Sequence, residues 1–478
     1  MTSENVDSAW IRRRSTFSIT GNGGVRRLAV SVAMATVIAA CSTSTTHLAK
    51  PFGTARLTDT LVDPNRSTPA NGSVAAHPGR TLVTSVWYPT GDRGPLPLIV
   101  FAHGFGTPPD LDGYTTILQR WASEGFVVAA PLFPLTRTDA PGGPDLADYV
   151  NQPGDVSFVI SRLLAASASG AGPLRGMINP AEIGVAGHSL GGVTTLGLVA
   201  NTCCRDPRVK AAVVMSGDSI GFPGGRNDAQ RAPPLLLVHG NADPVVPYVS
   251  SITAFNAASA PKALLTIEGG GHGSPVDPGG PAFATVVKVT TDFFDRYLRQ
   301  QAEAGRRLAA DGRSPATTLT LALTGGTPVT LATPPTVPST LHAAVAPSQG
   351  LHDGQVVTVS WQGFRPGVSV NVLQCDRNPP TGPGDCDLQT AKLLLPDVTG
   401  SGSIGLTVRA SIGATSTCGG PTPCVVVVNE GGSTTPKSSV ILPVSFSGSA
   451  GALDQSSPSG TASARALSPS VSGWTPSP

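Results

Sequence analysis

The chain has 478 residues, a formal net charge of +2 and only 13% charged residues. That length allows two or more domains, and the near-neutral balance leaves no electrostatic footprint for nucleic acid. With 56 glycines and 45 prolines the composition favours strands, turns and linkers over long helices. Heptads, a Gly-rich phosphate loop and paired Cys/His zinc spacing are all missing from the sequence, so coiled-coil, P-loop and zinc-module readings are excluded and no cofactor or metal is expected.

Residues 1–41 read as a segment outside the fold. Arg12, Arg13 and Arg14, then Arg26 and Arg27, are cationic, and the apolar run 28–40 is shorter than the ~20 residues of a membrane span. This is the pattern of a secretion signal. Its end, Ile38-Ala39-Ala40-Cys41, resembles a bacterial lipobox, which implies lipidation at Cys41 and a membrane anchor. A plain signal cleaved near Ala40 is the alternative. The Ser/Thr-rich residues 42–50 read as a tether, and the mature chain is expected outside the cytoplasm, as a cell-envelope lipoprotein or a secreted protein.

Residues 51–305 alternate short apolar runs with helical stretches, the pattern of an α/β domain. The strand 98–102 runs into His103-Gly104-Phe105-Gly106. The segment 131–153, rich in Pro, Asp and Gly, is expected to border a pocket. The strand 183–186 leads into Gly187-His188-Ser189-Leu190-Gly191 and then a small-residue helix, 193–200. Strand, sharp turn and helix are the context in which Gly-x-Ser-x-Gly has meaning: the turn lifts the serine Oγ clear of the sheet at a helix N-terminus. The strand 235–238 precedes Gly240-Asn241-Ala242-Asp243, and the strand 263–267 precedes Glu268-Gly269-Gly270-Gly271-His272. The helix 283–298 shows apolar residues at Phe283, Val286, Val287, Thr290, Phe293, Phe294 and Tyr297, the spacing of one buried face.

A serine hydroxyl needs a base to take its proton and a third group to orient that base. The candidates are Ser189 as nucleophile, His272 as base and Asp243 as the orienting acid, in the chain order Ser, Asp, His. Asp218 is the rival acid. His103, His188 and His239 are rival bases that read better as turn or packing residues, and Glu268 reads as solvated. An oxyanion hole needs two N–H donors aimed at one point; they are assigned to the backbones of Leu190 and Phe105.

These residues, with Val86-Trp87-Tyr88-Pro89 and Ala122-Ser123-Glu124-Gly125-Phe126-Val127-Val128, resemble the α/β-hydrolase superfamily over about 51–300. The nearest branches are the dienelactone hydrolases, acetylhydrolases and polyester hydrolases. Dienelactone hydrolases carry cysteine in the elbow, whereas this chain carries Ser189, which points toward ordinary carboxylic esters. The resemblance implies a serine esterase acting on a lipid, polyester or small ester through an acyl-enzyme.

Beyond this domain the pattern changes. Residues 306–340 turn to Ala, Thr, Pro and Gly and read as a linker, with strand-like pieces at 318–323 and 328–331. Short strands then recur at 355–361, 369–374, 403–408 and 425–428, separated by turn residues, which is the signature of an all-β sandwich over 341–446. The last residues, 447–478, are Ser/Gly/Pro-rich and read as a disordered tail. Cys375 and Cys386 close one short loop and Cys418 and Cys424 another; in an exported chain these read as two local disulfides. Cys203 and Cys204 are adjacent and stay unassigned. The stretches 347–354 and 373–375, Cys386, 400–402, 406–409, Cys418 and Cys424-Val425 resemble the neocarzinostatin family, an immunoglobulin-like sandwich. Members of that family bind an enediyne chromophore in an aromatic cleft. The loop after Cys375 here holds no aromatic residue, so the ligand of this domain is left unassigned and a spacer role is expected. The opposing reading for the whole chain is a surface binding or adhesion protein with a silent hydrolase fold; peptidase or thioesterase use of the same triad is the third.

Overall fold

In a computed structural model the described residues are 51–91, 94–323, 329–332, 341–364, 370–380, 385–394, 400–412, 416–418, 424–430, 439–447 and 462–465. The expected signal segment 1–41, Cys41 and the tether 42–50 lie outside them. Among the described residues no helix is long and apolar enough to cross a membrane.

A nine-stranded mixed sheet organises residues 54–322. Its strands are β1 (Thr54–Asp63), β2 (Arg80–Pro89), β3 (Leu96–Ala102), β4 (Val127–Leu132), β5 (Ile178–His188), β6 (Val209–Met215), β7 (Leu235–Gly240), β8 (Lys262–Ile267) and β9 (Thr317–Ala322). The spatial order is β1-β2-β4-β3-β5-β6-β7-β8-β9. The six from β4 to β8 run parallel, while β1, β2 and β9 pair antiparallel at the margins. Every residue of β4, β7 and β8 is buried, because a parallel sheet covered on both faces needs continuous apolar runs rather than alternation. The edge strand β1 is mostly exposed instead.

Helices cover both faces. On one lie α1 (Thr115–Ser123), α5 (Phe283–Tyr297) and α6 (Ala302–Asp311), whose Trp121, Phe293, Phe294 and Leu308 pack on Ile99, Phe101, Val128 and Val213. On the other lie α2 (Gln152–Ala168), α3 (Leu190–Ala200) and α4 (Tyr248–Ala257), whose Val159, Ile160, Leu198 and Phe255 pack on Val100, Val185, Val214 and Leu237. Alternate residues of each strand feed the two cores, as the period of two requires.

The expected linker 306–340 is corrected at its start. Residues 302–311 form α6, anchored by buried Ala304 and Leu308, and Thr317–Ala322 pair with β8 as the last strand of the sheet. The Thr-Leu alternation of β9 satisfies an edge strand with one covered face, so the segment joins the domain instead of leaving it.

The C-terminal part is all-β. Strands β10 (His342–Ala346), β11 (Val356–Gln362), β14 (Gly402–Thr407) and β19 (Ala462–Arg465) make one sheet, in the order β14-β11-β10-β19. Strands β12 (Val370–Cys375), β13 (Cys386–Leu394), β17 (Cys424–Glu430) and β18 (Ser439–Val444) make the other, in the order β13-β12-β17-β18. A two-stranded piece, β15 (Ser411–Ile412) and β16 (Ser416–Thr417), completes it. Inward residues of both sheets, among them Val357, Val359, Trp361, Val372, Val426, Val428 and Leu442, form one core. Cys375 is bonded to Cys386 and Cys418 to Cys424. The expected tail is corrected within 462–465, which pair with β10 as an edge strand.

Candidate active site

The parallel strands β3, β5, β7 and β8 all end on the same edge of the sheet, and each delivers one part of the site there. In open α/β sheets that carboxyl edge is where ligands meet the fold. Ser189 stands between β5 and α3 with φ 56° and ψ −122°. A non-glycine residue in this region costs about 1–3 kcal/mol and persists only where its surroundings impose it. Here the Ser189 N–H donates to Met215 O at 2.9 Å, while its carbonyl accepts from Gly192 and Val193 to start α3. The flanking glycines are required by close approach: a Cβ on Gly187 would stand 2.1 Å from Gly191 O, and one on Gly191 would stand 1.9 Å from Ala102 O.

His272 reaches the serine from the loop after β8, with Nε2 2.8 Å from Ser189 Oγ. Its Nδ1 is 2.8 Å from Asp243 Oδ2. The two loops are pressed together at Gly240, where a Cβ would meet Gly270 O at 2.1 Å. Asn241 ties them further, donating to Glu268 Oε2 at 2.7 Å and accepting from the Gly269 N–H at 2.7 Å. Glu268 itself is exposed. The Asp243 side chain is fully buried, while that of His272 is 18% exposed, which leaves the imidazole open to an incoming molecule. Burial alone would raise the Asp243 carboxyl. Hydrogen bonds from His239, His272 and the Val245 N–H more than offset this and hold it well below the usual carboxylate range, so it stays ionised.

The rival acid and bases take other places. Asp218 accepts from the Ser219 N–H, and burial raises its carboxyl. His103 Nε2 accepts from the Phe133 N–H at 3.0 Å, so Nδ1 carries the proton and donates to Gly104 O at 2.7 Å. Burial lowers this imidazole to about 4, so it is a neutral strut under the β3 loop. His188 is likewise lowered to about 4 by burial. Its Nε2 faces the His272 carbonyl at 2.8 Å and must donate; its Nδ1 then accepts from the Tyr114 hydroxyl at 2.9 Å.

Tyr114, which the sequence reading did not single out, closes this chain by accepting from the Gly104 N–H at 3.1 Å. A buried relay therefore runs from the Phe105 loop through Tyr114 and His188 to the backbone of His272. Tyr114→Phe deletes its middle hydroxyl and leaves the Gly104 N–H and His188 Nδ1 unpaired. If the site turns over a substrate, kcat is expected to fall about 10–100-fold with KM little changed, since misplacement of about 1 Å costs that much. Steady-state kinetics against unfolding curves check this; an unchanged kcat would remove the relay from the site.

Two backbone segments adjoin the serine. Leu190 opens α3, so its N–H is one of the four without an intrahelical partner. Phe105 follows Gly104, where a Cβ would lie 3.2 Å from Ser189 Cβ, and among the described residues the Phe105 N–H has no protein acceptor. Phe105 is 45% exposed. Beside Leu190 an apolar cluster forms from Tyr149, Val193 and Phe222, with Leu146, Val150, Ile220 and Cys204 against it. Leu146, Tyr149 and Val150 come from the segment 131–153. Cys204 is bonded to its neighbour Cys203, a pairing left open by the sequence. Among the described residues no group of three His, Cys, Asp or Glu side chains could hold a metal ion.

Comparison with known families bears on the C-terminal part of the chain. Residues 343–452 match the model of the Neocarzinostatin family. The match takes in both local disulfides and every strand of the two sheets except the edge strand β19, and it runs six residues past the expected boundary at 446. The chain therefore carries a C-terminal domain of the neocarzinostatin family.

Proposed function

We propose that the chain is an exported serine hydrolase of the α/β-hydrolase superfamily that cleaves carboxylic esters. The observation that carries this is the unbroken line Ser189 Oγ, His272, Asp243, with 2.8 Å at each junction. His272 Nε2 takes the Ser189 proton as Oγ attacks the ester carbonyl, and Asp243 holds Nδ1–H and steadies the imidazolium. The N–H groups of Leu190 and Phe105 receive the tetrahedral oxyanion, where one donor is worth about 100–1,000-fold in rate. His272 returns the proton to the leaving alcohol; a water then attacks the acyl-enzyme by the same route and frees the acid. The apolar cluster beside Leu190 suits the hydrocarbon part of an ester, and the lipobox-like end at Cys41 would tether the enzyme to a membrane.

The test is turnover of p-nitrophenyl esters of increasing acyl length, paired with fluorophosphonate labelling and peptide mapping. Ester hydrolysis with label on Ser189 is expected. Neither turnover nor label on folded protein would overturn the proposal in favour of a surface protein with a silent site. A preference for amide or thioester substrates would move it to the peptidase or thioesterase reading.

A further inference from the structure

His239 lies one residue before the end of β7, four residues before Asp243, and is completely buried. Its Nε2 lies 3.1 Å from Asp243 Oδ2 and 2.9 Å from Val246 O. Both partners accept hydrogen bonds and neither can donate, so Nε2 carries a proton. Nδ1, 2.6 Å from Ser251 Oγ on α4, is then free to accept from that hydroxyl. The tautomer follows from the partners alone. Asp243 Oδ2 is thus shared by two imidazoles, while Oδ1 accepts from the N–H groups of Val245 and Val246 at 2.7 and 3.0 Å.

We propose that His239 is a positioning residue for the reaction, giving Asp243 Oδ2 a second hydrogen bond that aligns the carboxylate with His272 and limits the negative charge it presents there. This rests on the serine-hydrolase reading above. Without His239, Oδ1 would stay on the Val245 and Val246 N–H groups while Oδ2 kept His272 as its one donor, and the carboxylate would sit less firmly in line and pull harder on the His272 proton. With His239 in place, Oδ2 is held between two rings and shares its charge. The other titratable groups facing this cluster are few. His188, at the end of β5, lies beside His272 with tilted rings, centroids 4.9 Å apart. Asp218, after β6, accepts from the Ser219 N–H, and the Tyr248 ring of α4 stands edge-on to His239 at 5.8 Å. Glu268 is exposed, and its charge helps to raise the Tyr248 hydroxyl.

The direction of the effect follows. Removing the Nε2–H donor strengthens Asp243 as an acceptor and stabilises the His272 imidazolium, and it also makes Asp243 easier to protonate. Both changes move the acid limb of the kcat/KM profile to higher pH. His239→Leu is expected to shift that limb upward by about one pH unit, whereas His239→Gln, whose amide N–H can still reach Oδ2, keeps it near the wild-type position. A residue that only fills space would lower kcat at every pH and leave the limb in place for both variants, and that result overturns the proposal. Should the Leu variant fail to fold, 15N-histidine NMR of the wild-type chain decides. His239 must show a protonated Nε2 and an unprotonated Nδ1, and the opposite tautomer overturns the proposal. The NMR readout needs no turnover, so an inactive wild-type chain would count against the hydrolase reading alone.

Discussion

Ser189→Ala is expected to lower kcat for ester hydrolysis by about 10^4–10^6-fold while leaving the fold intact. The substitution keeps Cβ, so the backbone at φ 56° is held as before by the Met215 carbonyl and the start of α3. Only Oγ is lost, and with it the bond to the carbonyl carbon. KM should change little, because the apolar cluster and the two backbone donors remain. His272→Ala removes the base and should cost nearly as much. Ser189→Ala/His272→Ala should be no slower than the worse single variant, since residues that act as one unit are strongly non-additive. Active-site titration with a fluorophosphonate excludes trace wild-type contamination. Losses that multiply across the pair would mean that the 2.8 Å contact is not used in turnover.

The parts of this site that announced themselves in the sequence are those whose signal is local. Ser189 sits between an apolar run and a small-residue helix, and the close contacts at Gly187 and Gly191 explain why only glycine stands there. Asp243 and His272 were legible because each follows a strand end by a few residues. The supporting residues carried no such mark. Tyr114 precedes α1, far from both residues it links, and its hydroxyl matters only once β3 and β5 lie side by side. His239 looked like one more turn histidine because its partner Val246 O and the hydroxyl of Ser251 are placed by the turn into α4. The linker expectation failed at β9 for a similar reason: the Thr-Leu alternation reads as a strand-like piece, but nothing local says which strand it joins, and pairing with β8 decides it. In the C-terminal domain the alternation of β11 and the short Cys-to-Cys loops are local signals, whereas β10 and β18 are short pieces that become strands by pairing.

Arg80→Met is expected to destabilise the N-terminal domain by about 3–5 kcal/mol at pH 7.5, the range for stripping one partner from a buried ion network. Arg80 opens β2 and its side chain is fully buried. Its Nη1 and Nη2 bond Asp148 at 3.0 and 2.6 Å, and its Nε and Nη2 bond Asp155 at 2.6 and 2.7 Å. Methionine fills most of the volume and leaves two carboxylates inside the protein. Asn151 Nδ2 still reaches Asp148 at 2.8 Å and Arg66 still reaches Asp155 at 2.7 Å, but neither replaces a guanidinium fork. Burial raises the Asp155 carboxyl even beside Arg80, and loss of Arg80 moves it further up. A carboxyl whose folded pKa lies above its unfolded one takes up a proton on folding, so its contribution to stability is present at low pH and is lost as pH rises through the folded value. The deficit of the variant should therefore shrink between pH 7.5 and pH 5, and adding Asp155→Asn should recover part of it at pH 7.5. Urea unfolding of wild type and variants at the two pH values reads both effects. The same network ties β2 to α2 and to the turn 146–151 that carries Tyr149 against Leu190, so KM for long-chain esters should rise before the domain unfolds. A deficit that stayed constant with pH would show that the lost stability comes from packing around the substituted side chain and not from the stranded carboxylates.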